Sequence, residues 1–116
     1  MAWILAWAVG PVFPLLGASP AAAQPTPDAQ ALYVEHCGTC HGKSGHATFP
    51  GVMMGAGSFA SAGFWADRPA ERWRRAVVEG GPAVGLKKAM PAFGDRLSPE
   101  QIDLVLAVAT SFRPAP

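Results

Sequence analysis

Apolar and polar positions divide the chain into an uncharged N-terminal stretch and a longer part with helical patterns. The first 23 residues carry no charged side chain, and residues 2–16 form an apolar run interrupted by glycine and prolines. Three alanines at 21–23 match the small-residue cleavage site of a secretory signal peptide. We therefore predict an exported, periplasmic or otherwise extracytoplasmic protein, with a signal peptide over 1–23 and one domain over 24–116. The run lacks a positively charged n-region, so an uncleaved anchor remains the alternative.

The first helical pattern follows directly. Thr26 is a suitable N-cap, and Pro27 is favourable as the first helical residue. Ala29 and Tyr33 recur at the spacing of one helix face. We predict a helix from Pro27 to about Cys37.

A second helix is predicted from Pro69 to Glu79. Its inward face carries three apolar residues: Trp73, Ala76 and Val77. Its arginines point outward, and Glu71 is expected to pair with Arg75 at the i,i+4 spacing. The sequence Gly-Gly-Pro at 80–82 ends this helix.

The last helix is predicted from a capping box at Ser98 to about Phe112. Its core stripe contains apolar residues at helical spacing: Ile102, Val105, Leu106, Ala109 and Phe112. Leu104 and Val108 make a second side apolar, which would suit a permanent interface with another subunit.

The remaining segments, 42–62 and 83–97, are expected to be irregular loops, because they are rich in glycine and small residues. Apolar residues in the first loop need burial, and we expect Met53 and Met54 to fill the core. With three predicted helices and few strand-like runs, we expect an all-α fold.

Composition excludes some classes of protein but does not identify a chemical activity. The chain has 116 residues and a formal net charge of +1. It has no basic run with interleaved aromatic residues, so nothing indicates nucleic-acid binding. A domain this small has a modest core. A large apolar cofactor would give the chain more surface to bury.

The chemistry is concentrated in the sequence Cys37-Gly38-Thr39-Cys40-His41, which contains the only two cysteines of the chain. This spacing is that of a c-type haem attachment site. Each thiol can add to one haem vinyl group, and the histidine can bind the iron. Three alternatives compete: a redox-active disulfide, a structural disulfide and a zinc site. A redox motif expects a preceding strand, and zinc needs four tetrahedral ligands.

A second iron ligand is expected in the C-terminal loop. The thioether of methionine is a common axial partner of histidine in cytochromes c. Met90 is followed by Pro91, which fixes the backbone of its loop. Met53, Met54 and His46 are the weaker candidates.

With these motifs and its terminal helix, the chain resembles a class I mono-haem cytochrome c. The resemblance covers nearly all of residues 27–112. It implies three or four helices wrapped around one haem, with the first and last helices crossing at Ala29 and Tyr33. Val108 stands where the family usually has an aromatic residue. The family also uses a proline carbonyl to accept the ring N–H of the ligating histidine, and Pro50 is the matching candidate.

The function that follows is single-electron transfer between redox partners, through a covalent haem held by Cys37, Cys40, His41 and Met90. No other catalytic set of residues is evident, so we do not expect an enzyme. The first alternative is a haem subunit or docked module of a periplasmic dehydrogenase or oxidase complex. A gas-sensing or catalytic haem protein is the second, and it would need a displaceable ligand.

The expected partners are redox proteins. Lys87 and Lys88 precede Met90 by two to three residues, so they should flank the haem and meet an acidic partner face. We expect a monomer, with no stable membrane insertion after signal cleavage.

Overall fold

The computed structural model describes residues 10–12, 14 and 24–116, and every regular element in these ranges is helical. The predicted signal peptide and its cleavage site lie outside the described residues, apart from positions 10–12 and 14. The α-helices are α1 (Pro27–His36), α2 (Gly38–His41), α3 (Phe49–Met53), α4 (Ala62–Trp65), α5 (Ala70–Glu79) and α6 (Pro99–Ser111), with a 3-10 turn at Gly81–Val84. The all-α prediction is confirmed. Within the described ranges no helix is long and apolar enough to span a bilayer.

Helix α1 begins as its sequence predicts. The Oγ1 of Thr26 accepts a hydrogen bond from the backbone N–H of Ala29 at 3.2 Å, and Pro27 is the first helical residue. At the other end, the N–H of Cys37 donates to the carbonyl of Tyr33 at 2.7 Å. Helix α2 follows at once, so both cysteines lie on a short stretch at the end of α1.

The packing of α1 against α6 forms the core of the fold. Ala29, Tyr33 and Val108 are buried at this crossing. The Tyr33 hydroxyl donates to the carbonyl of Gly42 at 2.9 Å, and its ring lies 5.4 Å from that of Phe112. The crossing implied at Ala29 and Tyr33 is therefore confirmed, with an aliphatic residue on α6.

The second apolar side of α6 is smaller than its sequence indicated. Val108 is only 1% exposed, whereas Leu104 is 41% exposed. Both residues were expected to suit an interface with another subunit, but Val108 packs in the core of the domain. The capping box at Ser98 has both of its hydrogen bonds, and four of the predicted core residues are buried: Ile102, Val105, Leu106 and Ala109.

Helix α5 matches its prediction in extent but not in its ion pairs. Pro69 is the N-cap rather than the first helical residue. The Nε of Arg75 pairs with Glu79 at 2.6 Å, instead of with Glu71. Arg75 lies four residues from both glutamates, so spacing alone does not choose between them. Arg74 pairs with Asp103 of α6 at 2.6 Å.

The sequence analysis missed three short elements: α3 inside the first predicted loop, α4 beginning at the end of that loop, and the 3-10 turn that overlaps the start of the second. These elements have four or five residues, which is too short for a hydrophobic period to be visible. The expected burial of Met53 and Met54 is wrong, because both side chains are exposed. Phe59, by contrast, packs against the core.

Candidate functional site

One apolar cavity brings together the cysteines, the histidine and the methionine that the sequence singled out. Cys37, Cys40, His41 and Met90 all line it. The space between its walls, with the open solvent at its mouth included, is about 1220 Å³. Its large apolar lining residues include Tyr33, Phe59, Trp65, Trp73, Phe93 and Leu106.

The two thiols are held where α1 meets α2. The N–H of Cys40 donates to the carbonyl of Cys37 at 3.3 Å, and both thiols are half-buried and not joined to each other. Burial, reinforced by the charge of Cys40, raises the pKa of the Cys37 thiol to about 11. Redox-active Cys-X-X-Cys sites work in the opposite direction, because they lower a thiol pKa. The arrangement therefore disfavours a redox-active dithiol.

The ring of His41 is held by two neighbours. Its Nδ1–H donates to the carbonyl of Gly57 at 2.8 Å. The ring also stacks on Phe59, with centroids 4.3 Å apart and planes 13° from parallel. Burial lowers the pKa of His41, and the hydrogen bond to Gly57 opposes part of that shift. A neutral imidazole that donates from Nδ1 keeps the lone pair of Nε2 available for a metal.

The carbonyl that holds this ring is not the one implied by the resemblance. The Pro50 carbonyl accepts the N–H of Met54 at 3.1 Å, and Pro50 does not line the cavity. This bond is part of α3, which the sequence analysis had treated as loop. The formation of α3 engages the Pro50 carbonyl, and the loop after α3 supplies that of Gly57 instead.

Met90 lies on a loop that backbone hydrogen bonds fasten to the end of α5 and to the 3-10 turn that follows it. Its carbonyl accepts the N–H of Gly81 at 3.0 Å, and the N–H of Phe93 donates to Val77 at 2.8 Å. Met90 is half-buried and packs against the core. Met54 also lines the cavity but is largely exposed, and Met53 does not line it. Two of the three candidate methionines therefore line the cavity.

The charged residues that line the cavity are all cations: Arg68, Arg72 and Lys87. No carboxylate is among its lining residues in the part of the chain that the structure describes. The indole N–H of Trp65 donates to the carbonyl of Phe59 at 2.8 Å, so this N–H already has an acceptor within the protein. A cavity with apolar walls and cations suits a large apolar body that carries negative groups.

Three residues of this site were not found from the sequence. Gly57 acts through its backbone carbonyl, which no sequence pattern reveals. Phe59 was recognised as an apolar loop residue but not as the stacking partner of His41. Arg68 lies over the ring of Phe64 at 4.3 Å, and its place in the cavity depends on α4, which is too short to predict.

A zinc site is not assembled here. Among the described residues, no group of three or more histidine, cysteine, aspartate or glutamate side chains could hold a metal ion. His46, a candidate for the zinc and for the iron, is exposed and does not line the cavity.

Two comparisons with known proteins find a match. Residues 24–107 match a family model described as cytochrome c oxidase, cbb3-type, subunit III. A solved structure described as KustC0563 c-type cytochrome is 34% identical, with a TM-score of 0.64, and the match covers 74% of this chain and 98% of that one. A search of the curated proteins finds no match.

Proposed function

The chain belongs to the family of the matching model and is a mono-haem c-type cytochrome, and from this premise we propose that it carries single electrons between redox partners. One observation carries the proposal. Two cysteines, a neutral histidine and a methionine converge on a single apolar cavity. This is the donor set that attaches haem covalently and binds its iron on both faces.

The residues present fit a haem. Cys37 and Cys40 would form the thioether bonds, His41 would bind the iron through Nε2, and Met90 would supply the second axial ligand. Arg68 and Arg72, with Lys87, give the cavity the positive charge that two propionate carboxylates require. When bound, haem with both axial positions filled supplies a one-electron couple and no open site for a substrate.

The protein holds the two proposed iron ligands in fixed positions. Gly57 and Phe59 hold the imidazole in one orientation, and the backbone hydrogen bonds around Met90 hold the sulfur-bearing loop. Aromatic walls would leave little room for water beside a bound haem. A site that moves little, and in which little water reorients, favours rapid electron transfer.

The test is a redox titration of the purified holoprotein. We expect one reversible one-electron transition, and we expect reduced protein to bind no CO at neutral pH, because both axial positions are filled. Binding of CO at neutral pH would favour a gas-sensing or catalytic haem protein. We propose a periplasmic or otherwise extracytoplasmic location, which is typical of c-type cytochromes and agrees with the predicted signal peptide.

A second function, a haem subunit of an oxidase complex, is favoured by the description of the matching family. The two functions differ in assembly rather than in site chemistry. Native size-exclusion chromatography of a periplasmic and membrane extract separates them. A free carrier elutes alone, whereas a subunit elutes with the other chains of its complex.

A further inference from the structure

Four large apolar side chains at α3 are exposed, and we call them the α3 patch. They are Phe49, Val52, Met53 and Met54, with exposed fractions of 79%, 57%, 69% and 49%. Phe49, Val52 and Met53 are three and four residues apart, so they share one face of the helix. Single exposed apolar residues are common, but a contiguous group indicates an interaction surface.

The patch faces outward because the opposite side of α3 is fastened to α2. Gly51 is buried, and a Cβ there would lie 2.0 Å from the carbonyl oxygen of Cys40. The Thr48 hydroxyl donates to the Thr39 carbonyl at 2.6 Å and accepts the Gly51 N–H at 3.1 Å. The backbone beneath the patch is therefore preformed, which lowers the entropic cost of binding a partner.

The patch lies next to the cavity and to uncompensated positive charge. Met54 and Gly55 both line the cavity. A Cβ at Gly55 would lie 3.0 Å from the Cδ of Lys87, so this lysine packs beside the end of the patch. Among the described residues, Lys87 and Lys88 pair with no carboxylate. The apolar surface is thus bordered on its cavity side by the Lys87 cation, and Lys88 is the next residue in the chain.

We propose that the α3 patch is the surface on which this cytochrome docks a protein redox partner, whose matching face has an apolar centre and carboxylates opposite Lys87 and Lys88. The inference rests on the proposed function and names the kind of partner. Charge complementarity favours this occupant, because a face without carboxylates would leave both lysines unmatched. Met53 and Met54 are flexible enough to adapt to partners of different shape.

The experiment compares two exposed apolar sites. Val52→Ser with Met53→Ser changes the patch without touching a residue that lines the cavity. Leu104→Ser is the matched control, because Leu104 is an exposed leucine on α6 outside the cavity lining. Stopped-flow kinetics at high ionic strength measure the rate at which the reduced holoprotein transfers one electron to a small acidic blue-copper protein. The electron converts Cu(II) of that protein to Cu(I). Hexacyanoferrate(III), which has no apolar face, is the second oxidant.

We expect the double variant to react about tenfold more slowly with the copper protein, a loss equivalent to about 1.4 kcal/mol of interface energy. Its rate with hexacyanoferrate should be unchanged, and Leu104→Ser should match the wild type with both oxidants. Equal copper-protein rates for the double variant and the wild type would overturn the docking proposal. So would an equal slowing with hexacyanoferrate, since the effect would then lie at the haem.

The two oxidants distinguish a failure of the docking proposal from a failure of the proposed electron carriage. A wild-type protein that exchanges no electrons with hexacyanoferrate refutes electron carriage itself. One that reduces hexacyanoferrate but not the copper protein refutes only the partner chemistry proposed for the patch. Sedimentation that shows a wild-type dimer and a monomeric double variant would assign the patch to a second copy. Binding of wild type, but not variant, to phosphatidylcholine–phosphatidylglycerol vesicles would assign it to a membrane; either result overturns the proposal.

Discussion

The imidazole of His41 is tied to the backbone of Gly57 by a hydrogen bond of 2.8 Å from Nδ1–H to the carbonyl oxygen. The two residues are far apart in sequence, and the loop that separates them contains α3. The position of α3 therefore decides where the carbonyl acceptor lies. Any change that displaces α3 should alter the orientation of the proposed iron ligand as well as the stability of the fold.

Gly51→Ala is the direct test of this coupling. A Cβ at position 51 would lie 2.0 Å from the Cys40 carbonyl oxygen, which is backbone and cannot move aside cheaply. We expect the free energy of unfolding to fall by about 1 to 3 kcal/mol, the usual cost of overpacking. Gly63→Ala is the control, since its Cβ would make only an ordinary contact with Ser61. Chemical unfolding of both variants measures the difference, and equal stabilities would show that α3 does not need its close contact with α2.

Haem attachment is predicted at both Cys37 and Cys40. The mature protein should keep its haem in acidified organic solvent after denaturation, because thioether bonds survive that treatment. It should also show no titratable thiol. Cys37→Ser and Cys40→Ser should each retain haem through one bond, and the double variant should release it. Free extraction of haem from the wild type would refute covalent attachment.

Met90 is predicted to be the sulfur ligand of the iron. The oxidised wild-type protein should show the weak near-infrared band of a sulfur–iron bond. Met90→Ala should abolish this band and lower the reduction potential, because the thioether ligand raises it. Met54→Ala is the matched control, as Met54 is the other methionine lining the cavity. If the band survives in Met90→Ala and is lost in Met54→Ala, Met54 is the ligand.

The buried hydroxyl of Tyr33 should contribute measurably to stability. It donates to the Gly42 carbonyl at 2.9 Å, and burial raises the pKa of Tyr33. Tyr33→Phe keeps the ring but leaves that carbonyl without its partner, and we expect a loss of about 1 kcal/mol. For a domain of 60 to 100 residues this corresponds to about 4 to 8 °C in Tm. An unchanged Tm would mean that water replaces the hydroxyl at no cost.

The long helices and the cysteine–histidine motif were recognisable from sequence because their signals are local. Thr26 and Ser98 cap helices within one turn of themselves, and the cysteine–histidine motif is a fixed spacing. The crossing residues Ala29 and Tyr33 were named by resemblance and are buried as implied. These features need no knowledge of how distant segments meet.

What sequence reasoning missed depends on tertiary placement. Met53 and Met54 are apolar, so burial was the natural expectation, but Gly51 occupies the side of α3 that packs. Pro50 was chosen as the histidine's acceptor by analogy, yet its carbonyl is engaged within α3. Val108 was assigned partly to an outer face, although it is buried in the core. In each case a short helix or a helix crossing decided the outcome.

Lys87 and Lys88 are predicted to steer the redox partner through charge. Both are exposed, and Lys87 lines the cavity. Attraction between opposite charges acts mainly on the association rate. We therefore expect Lys87→Glu with Lys88→Glu to lower the second-order rate with an acidic blue-copper protein several-fold at low salt. The reduction potential should shift only slightly, because water screens exposed charges.

Ionic strength separates steering from structural damage. The Debye length falls from about 10 Å at 0.1 M to about 3 Å at 1 M, so added salt should slow the wild type and bring the two proteins to similar rates. Lys43→Glu with Arg113→Glu makes the same change in net charge at residues outside the cavity lining. This control should lose less rate than the lysine pair at equal salt. If both double variants show the same rates and salt slopes, net charge alone governs association, and Lys87 and Lys88 are ordinary solvated residues.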